Sequence, residues 1–112
     1  MVKTAYIPEQ GDIVWVDFNP TRGHEQKGKR PAFVVSRRAY NEKSGLALLC
    51  PITSQEKGYP FEVRINNDKI TGVVLSDQLR SVDWKERMVA FIAKSKTATV
   101  SDVLAKILTL VQ

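Results

Sequence analysis

The stretch Gly11-Asp12-Ile13-Val14-Trp15-Val16-Asp17-Phe18-Asn19-Pro20 decides the fold. β-Branched and aromatic residues fill its middle, Gly-Asp opens it and Asn19-Pro20 closes it, which is the composition of a short strand between turns. The pattern recurs along the chain. Pro31 opens Ala32-Phe33-Val34-Val35-Ser36, and Pro is tolerated at the first residue of a strand. Leu46 to Ile52 is an almost unbroken apolar run of strand length, which predicts burial on both faces. Phe61, Val63 and Ile65 alternate with Glu62 and Arg64, the period of a half-exposed strand with Phe61 on its core side. Gly72–Leu75, Leu79–Trp84 and Met88–Ala93 read as three more strands. Trp15 and Trp84, lying within strands, are expected in the core.

Two segments break the pattern. Arg38 to Lys43 predicts one helical turn stopped near Gly45, and Asn66-Asn67-Asp68 is turn chemistry. At the end of the chain, Val100, Val103, Leu104, Ile107, Leu108 and Val111 fall on one face of an amphipathic helix. Thr99 with Asp102 resembles a capping box at its start. The expected class is mainly β (α+β): six or seven short strands in a small, strongly curved sheet or barrel, with the terminal helix packed on it. With 112 residues and no linker or repeat, residues 1–112 are expected to form a single domain.

The chain carries 17 Lys and Arg against 12 Asp and Glu, for a net charge of +5. Arg22, Lys27, Lys29, Arg30, Arg37 and Arg38 lie within one short stretch with a single anion, Glu25. That stretch holds the whole net charge, because cations and anions balance elsewhere. At 43% hydrophobic and 26% charged the chain is not disordered. No apolar run reaches the length of a membrane span, and the N-terminus lacks the apolar region of a secretory signal, so a cytoplasmic location is expected. Cys50 and His24 are each alone, which excludes an internal disulfide, a Cys/His zinc site within one chain and catalysis by two histidines. Cys50 is expected to be an inert buried thiol.

Three polar segments carry possible chemistry. In Gly23-His24-Glu25-Gln26-Lys27-Gly28-Lys29-Arg30, Glu25 stands among cations that favour its ionised form. Arg30 offers a planar fork suited to phosphate. A solvated, charged loop is the plain alternative. In the second, Thr53 and Ser54 at a strand end offer hydroxyls, Lys57 adds a cation and Tyr59 an aromatic face for a base. In the third, Asp77 and Gln78 followed by Arg80 offer groups for base edges. Position 28 is Gly, so H-E-x-x-H fails, and no phosphate-loop or dinucleotide fingerprint is present. No metal or cofactor is expected.

Taken together the blocks are specific. Gly11 to Pro20, Gly23-His24-Glu25-Gln26, Gly28-Lys29-Arg30-Pro31, Pro51-Ile52-Thr53-Ser54, Lys57 to Val63 and Asp77-Gln78 resemble the MazF/PemK (Kid) family of mRNA interferase toxins. The resemblance implies an SH3-like β-barrel and a homodimer, with metal-independent, ribosome-independent cleavage of single-stranded RNA at short sequences. It implies 2′,3′-cyclic phosphate and 5′-hydroxyl ends, and a cognate antitoxin whose acidic, disordered tail occupies the RNA groove. By the match, Glu25 is the general base, Arg30 acts at the phosphate and Thr53 holds a phosphate oxygen. A guanidinium with a pKa above about 12 parts with its proton reluctantly, so charge stabilisation suits Arg30 better than acid catalysis. Leu75 stands where the Kid-like branch carries an Arg, which favours the Glu25–Arg30 arrangement of the MazF-like branch. His24, Gln26, Lys27, Lys29, Ser54, Lys57, Tyr59, Asp77, Gln78 and Arg80 are the expected RNA contacts. The competing readings are a CcdB-like toxin of the same fold that binds gyrase without cutting RNA, and an SH3-like nucleic-acid binder without catalysis.

Overall fold

The computed structural model describes residues 6–17 and 28–112. Its elements run β1 (Asp12–Asp17), β2 (Lys29–Val34), α1 (Arg38–Ser44), β3 (Leu46–Thr53), β4 (Glu62–Asn66), β5 (Thr71–Leu75), β6 (Arg80–Asp83), β7 (Ala90–Lys94) and α2 (Thr97–Val111). The strands form one curled, barrel-like antiparallel sheet of seven strands in the order β4-β5-β3-β2-β1-β7, with β6 also on β3. The expected mainly-β architecture with a terminal helix is therefore present.

Successive residues of the three central strands feed opposite faces. Ile13, Phe33, Cys50 and Ile52 join one cluster, onto which α2 lays Val100, Val103, Leu104 and Ile107. Val14, Val16, Ala32, Val34, Ala47 and Leu49 join a second with Val82 and Trp84. Both faces of β1–β3 are thus buried, which is why these strands read as apolar runs rather than alternations. Trp84 is buried, and its indole N–H donates to the Asn41 carbonyl at 2.8 Å. Trp15 departs from expectation: it is 39% exposed. It shares the face of Ile13 but lies outside the cluster that α2 covers.

Helix ends are set by neighbours. α1 stops at Gly45, whose φ of 74° is the left-handed C-cap that glycine adopts without cost. The expected capping box at Thr99 is not used. α2 begins at Thr97 after Lys96, a residue with no side-chain oxygen to cap it, and Thr99 sits inside the first turn. The start is fixed instead by the sheet: Ser95 N–H donates to the Gly11 carbonyl at 2.9 Å. A Cβ on Gly11, at φ +91°, would lie 2.9 Å from Val100 Cγ2, so glycine lets the helix sit this close.

Asp12 is a buried carboxylate with its partners supplied. It accepts from the Tyr6 hydroxyl, from Glu9 N–H at 3.1 Å and from Lys94 Nζ at 2.8 Å. These bonds clamp the segment before β1 onto β7. Asn41, the buried residue of α1, does similar work, donating to the Pro8 carbonyl at 2.8 Å and accepting from the Ser36 hydroxyl.

Burial pushes the Cys50 thiol up to about 12, and the nearby Asp77 carboxylate adds to the shift. Burial and the Asp12 hydrogen bond raise the Tyr6 phenol, and the Asp12 hydrogen bond holds Lys94 protonated above its ordinary value. All three values are raised by folding. Their stabilisation is complete below the unfolded pKa values and is lost as pH climbs toward the folded ones. For the thiol that window opens at its ordinary value of 9.0 and closes near 12. The urea midpoint should therefore fall across this window, and Cys50→Ala should flatten the fall; an unchanged slope in the variant removes Cys50 from its cause.

Candidate active site

The candidate site begins where two central strands part. β2 and β3 pair from Val34↔Leu49 to Ala32↔Pro51 and no farther. Pro31 and Pro51 flank this end, and neither has an N–H with which to extend the ladder. Pro31 is the third residue of β2, not the first as expected. It pairs with Trp15 on β1, while its other edge faces a β3 that has turned away, so the missing donor breaks no ladder bond. β3 then continues onto β5 through Ile52↔Val74 and Thr53↔Val73.

The parting strands leave an open groove of about 790 Å³. Arg30 from β2, Thr53 and Ser54 from β3 and the turn after it, Gln78 from the β5–β6 connection and Arg80 at the start of β6 all line it. A smaller pocket of about 220 Å³ adjoins, sharing Thr53 and Gln78 with the groove. Lys57 and Tyr59 line it together with Asp77. Tyr59 is 56% exposed, as a stacking platform must be. The Thr53 hydroxyl accepts the Gln55 N–H at 3.1 Å, which orients it while leaving its own proton for an anion.

The fold thus gathers eight of the expected site residues into one continuous surface: Arg30, Thr53, Ser54, Gln78 and Arg80 in the groove, Lys57, Tyr59 and Asp77 in the pocket. Lys29 precedes Arg30 on the strand, points to the other face and lines neither. The expectations for His24, Glu25, Gln26 and Lys27 fall outside the described residues. Sequence reasoning missed Gln55, which lines both cavities, and misplaced Phe61. Phe61 keeps step with Val63 and Ile65, but β4 starts one residue later, and Phe61 is half-buried in the pocket wall. Leu75, another wall residue, contributes only apolar surface there. No group of three or more His, Cys, Asp or Glu among the described residues could hold a metal ion. No helix there is long and apolar enough to cross a membrane.

A family model described as PemK-like, MazF-like toxin of type II toxin–antitoxin system matches residues 9–111. The chain belongs to this toxin family. Its relatives include the endoribonuclease toxin MazF of Escherichia coli K12, 51% identical over 84 residues, covering 75% of this chain and 76% of that protein. Among solved structures, MazF from Deinococcus radiodurans superposes with a TM-score of 0.84 at 44% identity, covering 96% of this chain and 98% of the other. A MazE–MazF complex from the same organism superposes with a TM-score of 0.85 at 39% identity, covering 96% and 97%.

In this family member the groove depends on a glycine in β5. A Cβ on Gly72, at φ +149°, would lie 2.5 Å from the Thr53 carbonyl oxygen. Gly72 therefore lets β5 approach β3 at the residue that carries the candidate hydroxyl. Gly72→Ala should cost about 1–3 kcal/mol, the range for an overpacked contact, read from the denaturant midpoint. An unchanged midpoint would show that β5 can retreat freely.

Proposed function

We propose that this chain is an endoribonuclease toxin that cuts single-stranded RNA in the groove between β2 and β3, by attack of the RNA's own 2′-hydroxyl. The observation that carries the reading is the meeting of Arg30 and Thr53, from different strands, in one open groove joined to an aromatic-walled pocket. The groove fits a phosphate and the pocket fits a base beside it.

The chemistry needs a base for the 2′-hydroxyl proton, donors for the phosphorane oxygens and a proton for the leaving 5′-oxygen. Glu25 takes the first proton, a role that rests on sequence alone. Arg30 stabilises the charge that grows on the phosphorane, Thr53 donates to one of its oxygens, and water protonates the leaving oxygen. The products are a 2′,3′-cyclic phosphate and a 5′-hydroxyl. A nucleophile supplied by the substrate and donors supplied by side chains give a reaction that runs without a metal. Sequence selection falls to the pocket, where Tyr59 stacks on a base and Asp77 and Gln78 meet its edge. Lys57 and Arg80 meet the backbone, as do His24, Gln26 and Lys27, whose roles rest on sequence alone; Lys29, which faces away from the groove, takes no part there.

A cytoplasmic antitoxin with an acidic, disordered tail would lay its carboxylates in the same cationic groove and exclude RNA. Complex formation is what the matched MazE–MazF structure from Deinococcus radiodurans contains. A homodimer is supported by apolar surface left at the end of α2, where Leu108, Leu110 and Val111 are about half exposed or more. Gyrase binding without cleavage has less support, because the relatives matched are named endoribonucleases.

Purified protein should cleave RNA in EDTA. Glu25→Ala and Arg30→Ala should each lower kcat by about a hundredfold or more, and Thr53→Ala by about tenfold, by the usual worth of such groups. Full activity in both charge variants would sink the mechanism, and a strict need for magnesium would sink its metal-free class. Cleavage at subsaturating RNA should also fall steeply with added salt, because each neutralised phosphate releases a counterion; a flat response removes the cationic groove as the contact.

A further inference from the structure

The main-chain amides of Lys57 and Gly58 in the loop that carries Lys57 and Tyr59 are held by one side chain to which the proposed chemistry gives no role, Glu62, which also lines the smaller pocket. Residues 54–60 are all exposed, so no core packing fixes them. Their order comes from hydrogen bonds. The Glu62 carboxylate accepts the Gly58 N–H at 2.9 Å and the Lys57 N–H at 3.1 Å, and the Glu62 N–H donates to the Tyr59 carbonyl at 3.1 Å. Gly58 has a φ of +82°, which lets the two amides converge on one anion. Farther along, Lys106 Nζ on α2 donates to the Pro60 carbonyl at 2.6 Å. At the other end the Gln55 N–H donates to the Thr53 hydroxyl, and Arg64 meets Glu56 at 2.8 Å in an ion pair exposed at both ends that adds little.

We propose that Glu62 is a positioning residue that sets which nucleotide the smaller pocket accepts. It is the first residue of β4 and shares a rung with Leu75 on β5, two residues before Asp77. One strand register therefore fixes the anchor of the Lys57–Tyr59 wall and the lead into the Asp77–Gln78 wall. Charge-assisted bonds from a carboxylate to two backbone amides are stronger than neutral ones, and removing the carboxylate leaves both amides without that acceptor. Tyr59 and Lys57 then lose their fixed position against Gln78. Arg30 and Thr53 stay where they are, because β2 and β3 hold them. The expected signature is lost discrimination and weaker binding with the chemical step largely intact.

The inference rests on the RNA-cleaving reading of the groove. Wild type, Glu62→Ala and Glu62→Gln are compared on a pool of single-stranded RNA by sequencing 5′-hydroxyl ends. Steady-state kinetics follow on one oligonucleotide with the wild-type cut word, and amide exchange is measured at Lys57 and Gly58. Glu62→Ala should cut a wider set of words, with KM raised about tenfold and kcat changed by less than about threefold, as for an interaction that orders binding. Glu62→Gln, keeping one acceptor, should fall between. Exchange at both amides should quicken in Glu62→Ala. An active Glu62→Ala protein with unchanged words and KM overturns the proposal, as does a fall in kcat with KM constant. Unchanged exchange overturns the hold itself, whether or not RNA is cut. A wild-type protein inert on RNA overturns the catalytic reading instead.

Discussion

β3 is the strand on which the molecule depends. It pairs with β2 along one edge, and along the other it serves β6 through residues 46–49 and β5 through residues 52 and 53. β3 thereby joins the β6 part of the sheet to the β5–β4 part, and the right-handed twist of the strands curls the two about it. The change of partner occurs around Pro51, where the ladder to β2 ends for want of a donor. Curvature and groove are thus consequences of one event. The same residues that bend the sheet leave a backbone edge uncovered, and the polar side chains of Arg30 and Thr53 border that opening.

The buried polar groups follow a complementary logic. Asp12 and Asn41 are almost wholly buried, yet each has its hydrogen-bonding capacity met by the segment before β1 and by neighbouring strands or helices. Such groups cost free energy when partners are missing, so their satisfaction specifies one arrangement of chain entry, helix and sheet. The proposed reacting groups lie at the opposite extreme. Arg30 is exposed and Thr53 only half-buried, where an incoming phosphate replaces water without disturbing the core.

Much of this was legible in the sequence. Period and composition located every strand within a few residues, and of the expected helical face Val100, Val103, Leu104 and Ile107 pack on the sheet while Leu108 and Val111 stay exposed. Errors arose where a local rule met a tertiary contact. Thr99 reads as a cap, but a hydrogen bond to Gly11 starts the helix earlier. Pro31 reads as a strand opener, but an edge without a partner admits it inside. Phe61 keeps the parity of a core residue, yet its strand begins after it. For the site, residue types suggested phosphate and base contacts, and the family resemblance assigned their roles. Neither could show that Lys29 faces away from Arg30's groove, nor that Gln55 lies in both cavities. Those facts depend on strand register and loop shape, which no single segment encodes.

Glu62 grips main-chain amides rather than side chains. Every residue except proline brings such an amide, and only position 58, with its positive φ, is tied to glycine. What the loop displays is therefore separable from how the loop is held. Positions 57 and 59 can exchange one side chain for another over evolutionary time while the scaffold around them stays constant. On the proposed reading of the pocket, a change of target then needs only point changes at these two positions and no unfolded intermediate.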